Sequence, residues 1–263
     1  MGIKLELPSH IKNALLNLNV FKKEVDLIIN VIDARSTKVS NLNDEISKIF
    51  FNTKILSLFS KVDLADVKPS KNAFDFRFQS NRNKILKLIK DILAPERAKF
   101  RAEGYLQPHF QILVVGLPNT GKSTLINLLK NKKISPCENT PGVTKKITKY
   151  YLGDNLWLYD SPGIFFYKNI SEELLQKLIV INAVPAQIKE YSNILESSFL
   201  YLKKHYPESL KGLNNENYID FIESLARRYN FKSKNDIWDI TKAEEKFLFL
   251  LRNGGIKNIS WDQ

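Results

Sequence analysis

The stretch Gly116–Thr124 reads GLPNTGKST and fits the phosphate-binding pattern G-x-x-x-x-G-K-[ST]. It follows the apolar run Phe110–Val115 and precedes Leu125–Leu129, whose apolar residues recur at helical spacing. In the strand–loop–helix that this context predicts, successive backbone N–H groups converge on phosphate oxygens at the positive end of the helix. Lys122 can then reach the β- and γ-phosphates, and the Ser123 hydroxyl can ligate Mg²⁺. The stretch therefore predicts a nucleoside-triphosphate site rather than a glycine-bearing turn that binds nothing.

We expect this loop to supply most of the contacts to the phosphates, with Lys122 also taking part in catalysis. Ser123 is a candidate metal ligand as well. The candidate nucleotide-binding residues of the loop are Asn119, Thr120, Gly121, Lys122, Ser123 and Thr124.

The composition narrows the class of protein. Of the 263 residues 43% are hydrophobic, which is enough for a packed core and argues against a disordered chain. The one cysteine, Cys137, excludes an internal disulfide or a cysteine-based zinc site. No apolar run approaches the roughly 20 residues of a membrane span, and Met1–Glu6 lacks the apolar core of a signal peptide. We therefore expect a cytoplasmic protein with no membrane attachment.

The charge is unevenly distributed along the chain. The formal net charge is +12, and all of it belongs to Met1–Ile170, since basic and acidic residues balance in Ser171–Gln263. A strongly basic half suits a polyanionic partner such as RNA. A solvated basic surface fits the charge equally well, and the same two interpretations apply to the basic groups Lys203–His205, Arg227–Arg228 and Lys232–Lys234.

Apolar runs alternate with helical patterns through the first two thirds of the chain, which predicts a doubly wound, mostly parallel sheet. The predicted strands are Asp26–Ile32, Thr53–Phe59, Ala73–Phe78, Phe110–Val115, Ile147–Leu152 and Leu156–Tyr159. A helix is predicted over Lys84–Leu93. The charged segment Pro95–His109 is interpreted as a connector because it contains Gly104 and Pro108, which interrupt regular secondary structure. From Ser171 the pattern is wholly helical. We place a domain boundary near Asn169, which gives an α/β domain over 1–169 and a smaller all-α domain over 170–263.

A second motif follows the predicted hairpin. Asp160–Gly163 has the form D-x-x-G, in which the aspartate holds Mg²⁺ through water and the glycine N–H bonds the γ-phosphate. A threonine between the two motifs could close over the γ-phosphate and Mg²⁺ as an order–disorder switch. Thr144 is the candidate for this role, and Thr140 is its competitor. Because such motifs lie at the carboxyl ends of strands, they are expected at one edge of the sheet.

A third motif, Ser60–Asp63 (SKVD), resembles the guanine-reading sequence N-K-x-D. Its Asp63 carboxylate can accept two parallel hydrogen bonds from guanine, which adenine cannot offer. Lys61 either lies over the base or braces the phosphate loop, and Ser60 stands where asparagine is usual. The candidate base-side residues are Ser60, Lys61, Val62 and Asp63, together with Gln79 and Ser80, whose backbone N–H groups would meet the base edge.

The order of these motifs is unusual because the base-reading motif precedes the phosphate loop. Most GTPases have the reverse order, and domain termini that lie close together allow a chain to be cut and rejoined, here across Pro95–His109. The order of the motifs resembles that of the circularly permuted GTPases. The motif sequences are similar to those of the ribosome biogenesis GTPase A family. The matching motifs outside the phosphate loop are Pro8–His10, Val31–Arg35, Pro141–Thr144, Asp160–Ile164 and His205–Glu208.

This resemblance implies a circularly permuted P-loop GTPase domain followed by a smaller helical domain. It implies a monomeric GTP-binding and GTP-hydrolysing switch in large (50S) ribosomal subunit assembly, slow alone and stimulated by the ribosomal particle. The implied partners are GTP or GDP, precursor rRNA and ribosomal proteins, and the implied cofactor is Mg²⁺. Three alternatives remain: an RNA-binding GTPase acting in another RNA process, an RNA-binding protein whose triphosphate site is structural, and a small-substrate phosphotransferase, which would leave the second and third motifs unused.

Two further roles come from the resemblance. Ile164 occupies the place where many GTPases orient the attacking water with glutamine, and the resemblance implies that His10 does so here. From the residues alone, His10 would be an ordinary surface or capping histidine. The resemblance also makes Asn119 a candidate K⁺ ligand, and the alternative is an asparagine tolerated for its turn propensity.

We expect His10→Ala to keep nucleotide binding and to lower kcat, because an imidazole can polarise the attacking water at neutral pH. The measurement is GTP turnover stimulated by ribosomal particles, with nucleotide affinity determined on the same preparation. Unchanged stimulated turnover would reject this role for His10.

Overall fold

The computed structural model describes most of the chain, and the motif Pro8–His10, together with most of Lys130–Lys149, lies outside the described residues. The described residues are 3–4, 22, 24–66, 71–130, 137–139, 148–161, 163, 169–184, 192–233 and 236–263.

A six-stranded sheet organises the first part of the chain. Its order is β3-β2-β4-β7-β6-β5, and the pairs β3–β2, β2–β4 and β4–β7 are parallel, whereas β7–β6 and β6–β5 are antiparallel. The strands are β2 (Leu27–Asp33), β3 (Lys54–Ser60), β4 (Phe110–Val115), β5 (Cys137–Asn139), β6 (Thr148–Gly153) and β7 (Leu156–Asp160). The short β1 (Ile3–Lys4) and β8 (Asn169–Ile170) form a separate antiparallel pair.

Helices cover both faces of this sheet, as a doubly wound fold requires. The helices are α1 (Thr37–Ser40), α2 (Asn43–Ile49), α3 (Arg82–Ala102), α4 (Lys122–Leu129), α5 (Glu172–Val180), α6 (Ser192–His205), α7 (Tyr218–Arg228) and α8 (Ile240–Asn253). Side chains alternate along a strand, so Leu27 and Ile29 of β2 pack against α3 and α4 on one face of the sheet, whereas Ile28 lies in the core on the opposite face. The predicted α/β class with a mostly parallel sheet is confirmed.

The core of the opposite face is continuous with the helical half of the chain. One apolar cluster contains Leu113 and Val115 of β4 together with Phe199, Phe247 and Trp261 from beyond β8, all of them buried. The helices from α5 onward therefore pack against the sheet itself. Division of the chain near Asn169 stays a prediction.

The predicted strand Ala73–Phe78 is wrong. Ala73 makes only a single parallel bridge to Phe59, and the chain then turns. The Asp75 side chain accepts the backbone N–H of Arg77 at 3.0 Å, and the Asp75 carbonyl accepts the N–H of Phe78 at 3.3 Å. An aspartate that bonds its own backbone two residues on favours a turn over a strand, and this local effect outweighed the apolar alternation.

The predicted end of the helix before Pro95 is also wrong, since α3 continues through Pro95 to Ala102. A proline inside a helix removes one backbone hydrogen bond, so tertiary contacts must compensate. On one side of it the Lys54 Nζ donates to the Ile92 carbonyl at 2.9 Å, and on the other the Phe100 ring packs 6.2 Å from the Phe110 ring. The true connector is therefore shorter than Pro95–His109.

The segment Ile259–Gln263 joins the helical half to the loops that follow β2 and β3. The Trp261 N–H donates to the Arg35 carbonyl at 2.7 Å, and the Ile259 N–H donates to the Leu64 carbonyl at 3.1 Å. Asp262 accepts the backbone N–H groups of the first residues of α1, including that of Lys38 at 3.0 Å. Because the preceding Ser36 makes no capping hydrogen bond of its own, a carboxylate distant in sequence caps this helix.

We expect Asp262→Ala to destabilise the folded state by about 1–2 kcal/mol, because it leaves the first N–H groups of α1 without their charged acceptor. The measurement is the urea dependence of unfolding followed by tryptophan fluorescence. Asp91→Ala is the matched control, since it removes the same charge from an exposed ion pair with Lys87 and should change stability by less than about 0.5 kcal/mol. Equal effects of the two substitutions would contradict this role.

Candidate functional site

The phosphate-binding loop has the geometry that its motif predicts. It leaves β4 at Val115, and α4 begins at Lys122 with Gly121 as the N-cap in the left-handed region at φ 98°. Gly116 is tightly enclosed, because a Cβ at this position would lie 2.7 Å from the Val31 carbonyl oxygen. The loop therefore packs directly on the end of the neighbouring strand β2, and glycine is required there.

Lys122 lies buried over this loop, with 8% of the residue exposed. Its Nζ donates to the Leu117 carbonyl at 2.8 Å and to the Gly116 carbonyl at 3.2 Å. Burial lowers the pKa of Lys122 to about 8, against the opposing effect of the Asp160 carboxylate. A cation so poorly solvated is stabilised by any anion that approaches the loop.

The second motif lies beside the loop because β7 is the parallel neighbour of β4. Asp160 ends β7, and burial raises its pKa while Lys122 opposes the rise. A Cβ at Gly163 would lie 2.9–3.1 Å from three atoms of Pro118, so this glycine touches the phosphate loop. Only a residue without a side chain can approach that closely, so Gly163 lies against the phosphate loop.

A magnesium ion fits the oxygen donors of this region. Ser123 is exposed on the first turn of α4, and Asp160 lies at the end of the adjacent strand. Within the described part of the chain, no group of three or more His, Cys, Asp or Glu side chains could hold a metal by itself. A site with only a few protein oxygen donors is suitable for Mg²⁺, because this ion is commonly held by one or two protein groups together with phosphates and water. Thr144 and its competitor Thr140 lie outside the described residues, as does His10.

One cavity of about 420 Å³ unites the phosphate loop with the base-reading motif. Asp63 and Lys61 line it from the loop after β3, and Asn119 and Gly121 line it from the phosphate loop. The full lining is Ser60, Lys61, Asp63, Leu64, Asp75, Phe76, Arg77, Asn119, Gly121, Thr124, Asn182, Arg252, Asn253 and Lys257. Two stretches more than fifty residues apart in the chain therefore border a single space, as the permuted order of motifs requires.

Several other candidate residues do not belong to the cavity lining. Gln79 and Ser80 form part of the exposed 3₁₀ turn Gln79–Asn81, and the preceding turn presents Asp75–Arg77 to the cavity instead. Val62, Thr120, Lys122 and Ser123 likewise do not line it. The roles proposed for these residues stay predictions.

Ser60 connects the two motifs directly. It is 2% exposed, and its hydroxyl donates to the Thr120 carbonyl at 2.6 Å, with the Ile32 carbonyl 3.1 Å away. A hydroxyl has one hydrogen, whereas the amide of the usual asparagine has two. Ser60 can nevertheless brace the phosphate loop against the base-reading motif.

The Asp33 carboxylate is the buried centre of this edge of the sheet. It accepts Arg35 Nε at 3.0 Å, Arg35 Nη2 at 2.9 Å and Lys61 Nζ at 2.7 Å. Burial alone would raise the pKa of Asp33, but the charges of Arg35 and Lys61 outweigh it and hold the pKa well below its usual range. Lys61 is therefore fixed by a salt bridge at the point where the base-reading motif begins.

The helical half contributes residues that the sequence did not predict. The Asn182 carbonyl accepts the Asn119 side-chain amide at 2.8 Å. Arg252 donates to the carbonyls of Ile179 at 2.8 Å and Val184 at 3.1 Å, and burial lowers its pKa to about 10. The only sequence signals near these residues are those of helix ends, such as the Gly254 that follows α8. No sequence signal connects these residues to the phosphate loop.

None of the helices in the described part of the chain combines the length and the apolar character that a membrane crossing requires.

Comparison with known proteins agrees with the geometry. Residues 111–207 match the family model described as 50S ribosome-binding GTPase. The probable ribosome biogenesis GTPase A of Mycoplasma genitalium is 31% identical over 97% of this chain and 95% of its own length. The ribosome biogenesis GTPase A of Thermotoga maritima is 29% identical over 97% and 93%.

Solved structures share the fold. The GNP-bound structure of YlqF from T. maritima superimposes with a TM-score of 0.66 and 23% identity, covering 95% of this chain and 98% of that one. The permuted order of motifs, the architecture and the full-length relatives agree. The chain belongs to the ribosome biogenesis GTPase A family.

Proposed function

We propose that this GTPase is a guanine-nucleotide-controlled switch that acts in assembly of the large ribosomal subunit. The observation that carries the proposal is the single cavity bordered by Asp63 on one side and by the phosphate loop on the other. A carboxylate at that place selects guanine, and the buried Lys122 favours the phosphates. The assembly role is supported by the relatives named ribosome biogenesis GTPase A and by the 50S ribosome-binding family model.

On the phosphate side, we infer that Ser123, Asp160 and Thr144 hold Mg²⁺, which would neutralise charge on the β- and γ-phosphates. Lys122 binds the same phosphates, and Gly163 senses whether the γ-phosphate is present. His10 would orient the attacking water. The roles of Asp160 and Gly163 are supported by the position of β7 beside β4 and by the close approach of Gly163 to Pro118, whereas those of Thr144 and His10 rest on the family resemblance alone.

Asn119 is the proposed ligand for K⁺. Its side-chain Nδ2 donates to the Asn182 carbonyl, so its Oδ1 faces away from that contact and can serve as an acceptor. A K⁺ ion there would supply positive charge next to the phosphates. In this way the helical half would help to orient the side chain of Asn119, the proposed K⁺ ligand.

We infer that the helical domain 170–263 contacts precursor rRNA and ribosomal proteins, while 1–169 binds GTP or GDP, and that the protein is a cytoplasmic monomer. Cations lie over aromatic rings on its surface, with Lys246 Nζ 4.4 Å from the Tyr229 ring centre and Lys232 Nζ 5.4 Å from that of Trp238. Half-exposed aromatic rings beside cations suit stacking and phosphate contacts with RNA.

The guanine assignment is tested by Asp63→Asn. We expect this variant to lose GDP affinity by about 30-fold or more, because its amide can accept only one of the two guanine N–H groups and turns a donor toward the other. It should gain affinity for xanthosine diphosphate, whose C2 carbonyl can accept that donor. The measurement is titration calorimetry with GDP, xanthosine diphosphate and ADP.

Asp91→Asn, an exposed change on α3, is the control for this experiment and should bind all three nucleotides as the unmodified protein does. Unaltered GDP affinity of Asp63→Asn would reject the guanine site. ADP binding as tight as GDP binding in the unmodified protein would reject it as well.

The pKa of Lys122 predicts a pH dependence of binding. In the free protein this pKa is lowered to about 8, and bound phosphates raise it, so nucleotide binding takes up a proton. Affinity should therefore fall as the pH rises through 8. At pH 8.5 we expect uptake of about three-quarters of a proton, against about one-tenth at pH 7.0.

The uptake is measured by calorimetry of GDP binding in buffers of different ionisation enthalpy at the two pH values. The titration at pH 7.0 is the internal control. Equal heats in all buffers at pH 8.5 would show that Lys122 is already charged in the free protein.

A further inference from the structure

Arg77 is held rigidly at the rim of the cavity although most of its side chain is exposed. Its Nε donates to Asp75 Oδ1 at 2.9 Å, and its Nη2 donates to Asp75 Oδ2 at 2.5 Å. The backbone N–H of Arg77 also donates to the Asp75 carboxylate. This two-point fork fixes the plane of the guanidinium, which a lysine at the same position could not do.

The turn that carries Arg77 is itself anchored. The Asn81 side-chain amide donates to the Asp75 carbonyl at 2.9 Å, and Phe76 is buried, with 4% exposed. The Phe76 ring lies against the phosphate loop, 3.8 Å from the place where a Cβ of Gly121 would stand. Arg77 is thus fixed relative to the phosphate loop as well as to the base-reading motif.

From this position Arg77 reaches the Asp63 carboxylate, with Nη2 at 2.9 Å from Asp63 Oδ2. Asp63, Asp75 and Arg77 all line the cavity. The contact to Arg77 uses one lone pair of one Asp63 oxygen, so the carboxylate keeps acceptor sites on both oxygens. It can accept from a ligand while Arg77 remains in place.

In water this ion pair contributes little, because 62% of the Arg77 side chain and 33% of the Asp63 side chain are exposed. A base that covers Asp63 changes this, since the carboxylate then loses water and its charge must be compensated by neighbouring groups. Arg77 is already placed to supply that compensation. Its contribution is therefore expected when a base binds rather than in the stability of the free protein.

We propose that Arg77 is a specificity-determining residue of the guanine site, which holds the Asp63 carboxylate in the orientation that accepts both N–H groups of guanine. The inference rests on the proposed guanine site. Arg77 acts through Asp63, so it is a positioning residue, and its effect falls on the base and not on the phosphates.

The test compares Arg77→Gln with Arg101→Gln, which removes the same charge from an exposed arginine on α3. Three ligands are titrated: GDP, inosine diphosphate, which lacks the exocyclic amine of guanine, and tripolyphosphate, which lacks a base. We expect Arg77→Gln to weaken GDP binding about tenfold and inosine diphosphate binding about threefold, with tripolyphosphate unchanged. Arg101→Gln should leave all three affinities unchanged.

A double-mutant cycle supplies a readout that a purely structural role would not move. If Arg77 works through Asp63, Arg77→Gln should have no further effect on GDP affinity in the Asp63→Asn background. Equal losses for GDP, inosine diphosphate and tripolyphosphate would overturn the proposal, and so would GDP affinity at or above that of the unmodified protein. An unmodified protein that does not distinguish GDP from inosine diphosphate would instead show that Asp63 does not accept the exocyclic amine, and so would reject the two-bond guanine contact on which the proposal rests.

Discussion

The buried Asp33 carboxylate, shared by Arg35 and Lys61, is the interaction on which the arrangement of this protein depends. It lies at the carboxyl end of β2, and each of its two cationic partners connects this strand to a different part of the structure. Lys61 begins the base-reading motif, whereas Arg35 Nη1 donates to the carbonyls of Leu251 and Arg252 at the end of α8. Removal of Asp33 would leave the cations of Arg35 and Lys61 without their shared counter-charge. The sheet, the base-reading loop and the helical half are therefore held together at this carboxylate.

Around this point, the nucleotide site is assembled from segments that are distant in the chain. The parallel order of β3, β2, β4 and β7 brings four strand ends to one edge of the sheet, and the Ser60 hydroxyl joins the base-reading motif to the Thr120 carbonyl. The contact from Asn119 to the Asn182 carbonyl adds the helical half to the same site. A change in the phosphate loop therefore has a direct structural route to the helical half of the chain, for which we propose the ribosomal contact.

Local motifs made much of this predictable from sequence. The phosphate loop Gly116–Thr124 and the motif Ser60–Asp63 each follow an apolar strand, and parallel topology places such strand ends together. The helix through Pro95 was not predictable, because the rings of Phe100 and Phe110 that support it come together only in the folded chain. The role of Arg77 was not predictable for the same reason, since it depends on an ion pair with Asp63, fourteen positions earlier.

The most direct test of one guanine-nucleotide site shared by both motifs is a crystal structure of the protein with GDP and Mg²⁺. We expect the Asp63 carboxylate oxygens to lie at hydrogen-bond distance, about 2.7–3.2 Å, from guanine N1 and the exocyclic amine. In the same molecule the diphosphate should lie on the loop that carries Lys122. A base bound away from Asp63 while the diphosphate occupies that loop would contradict the shared site.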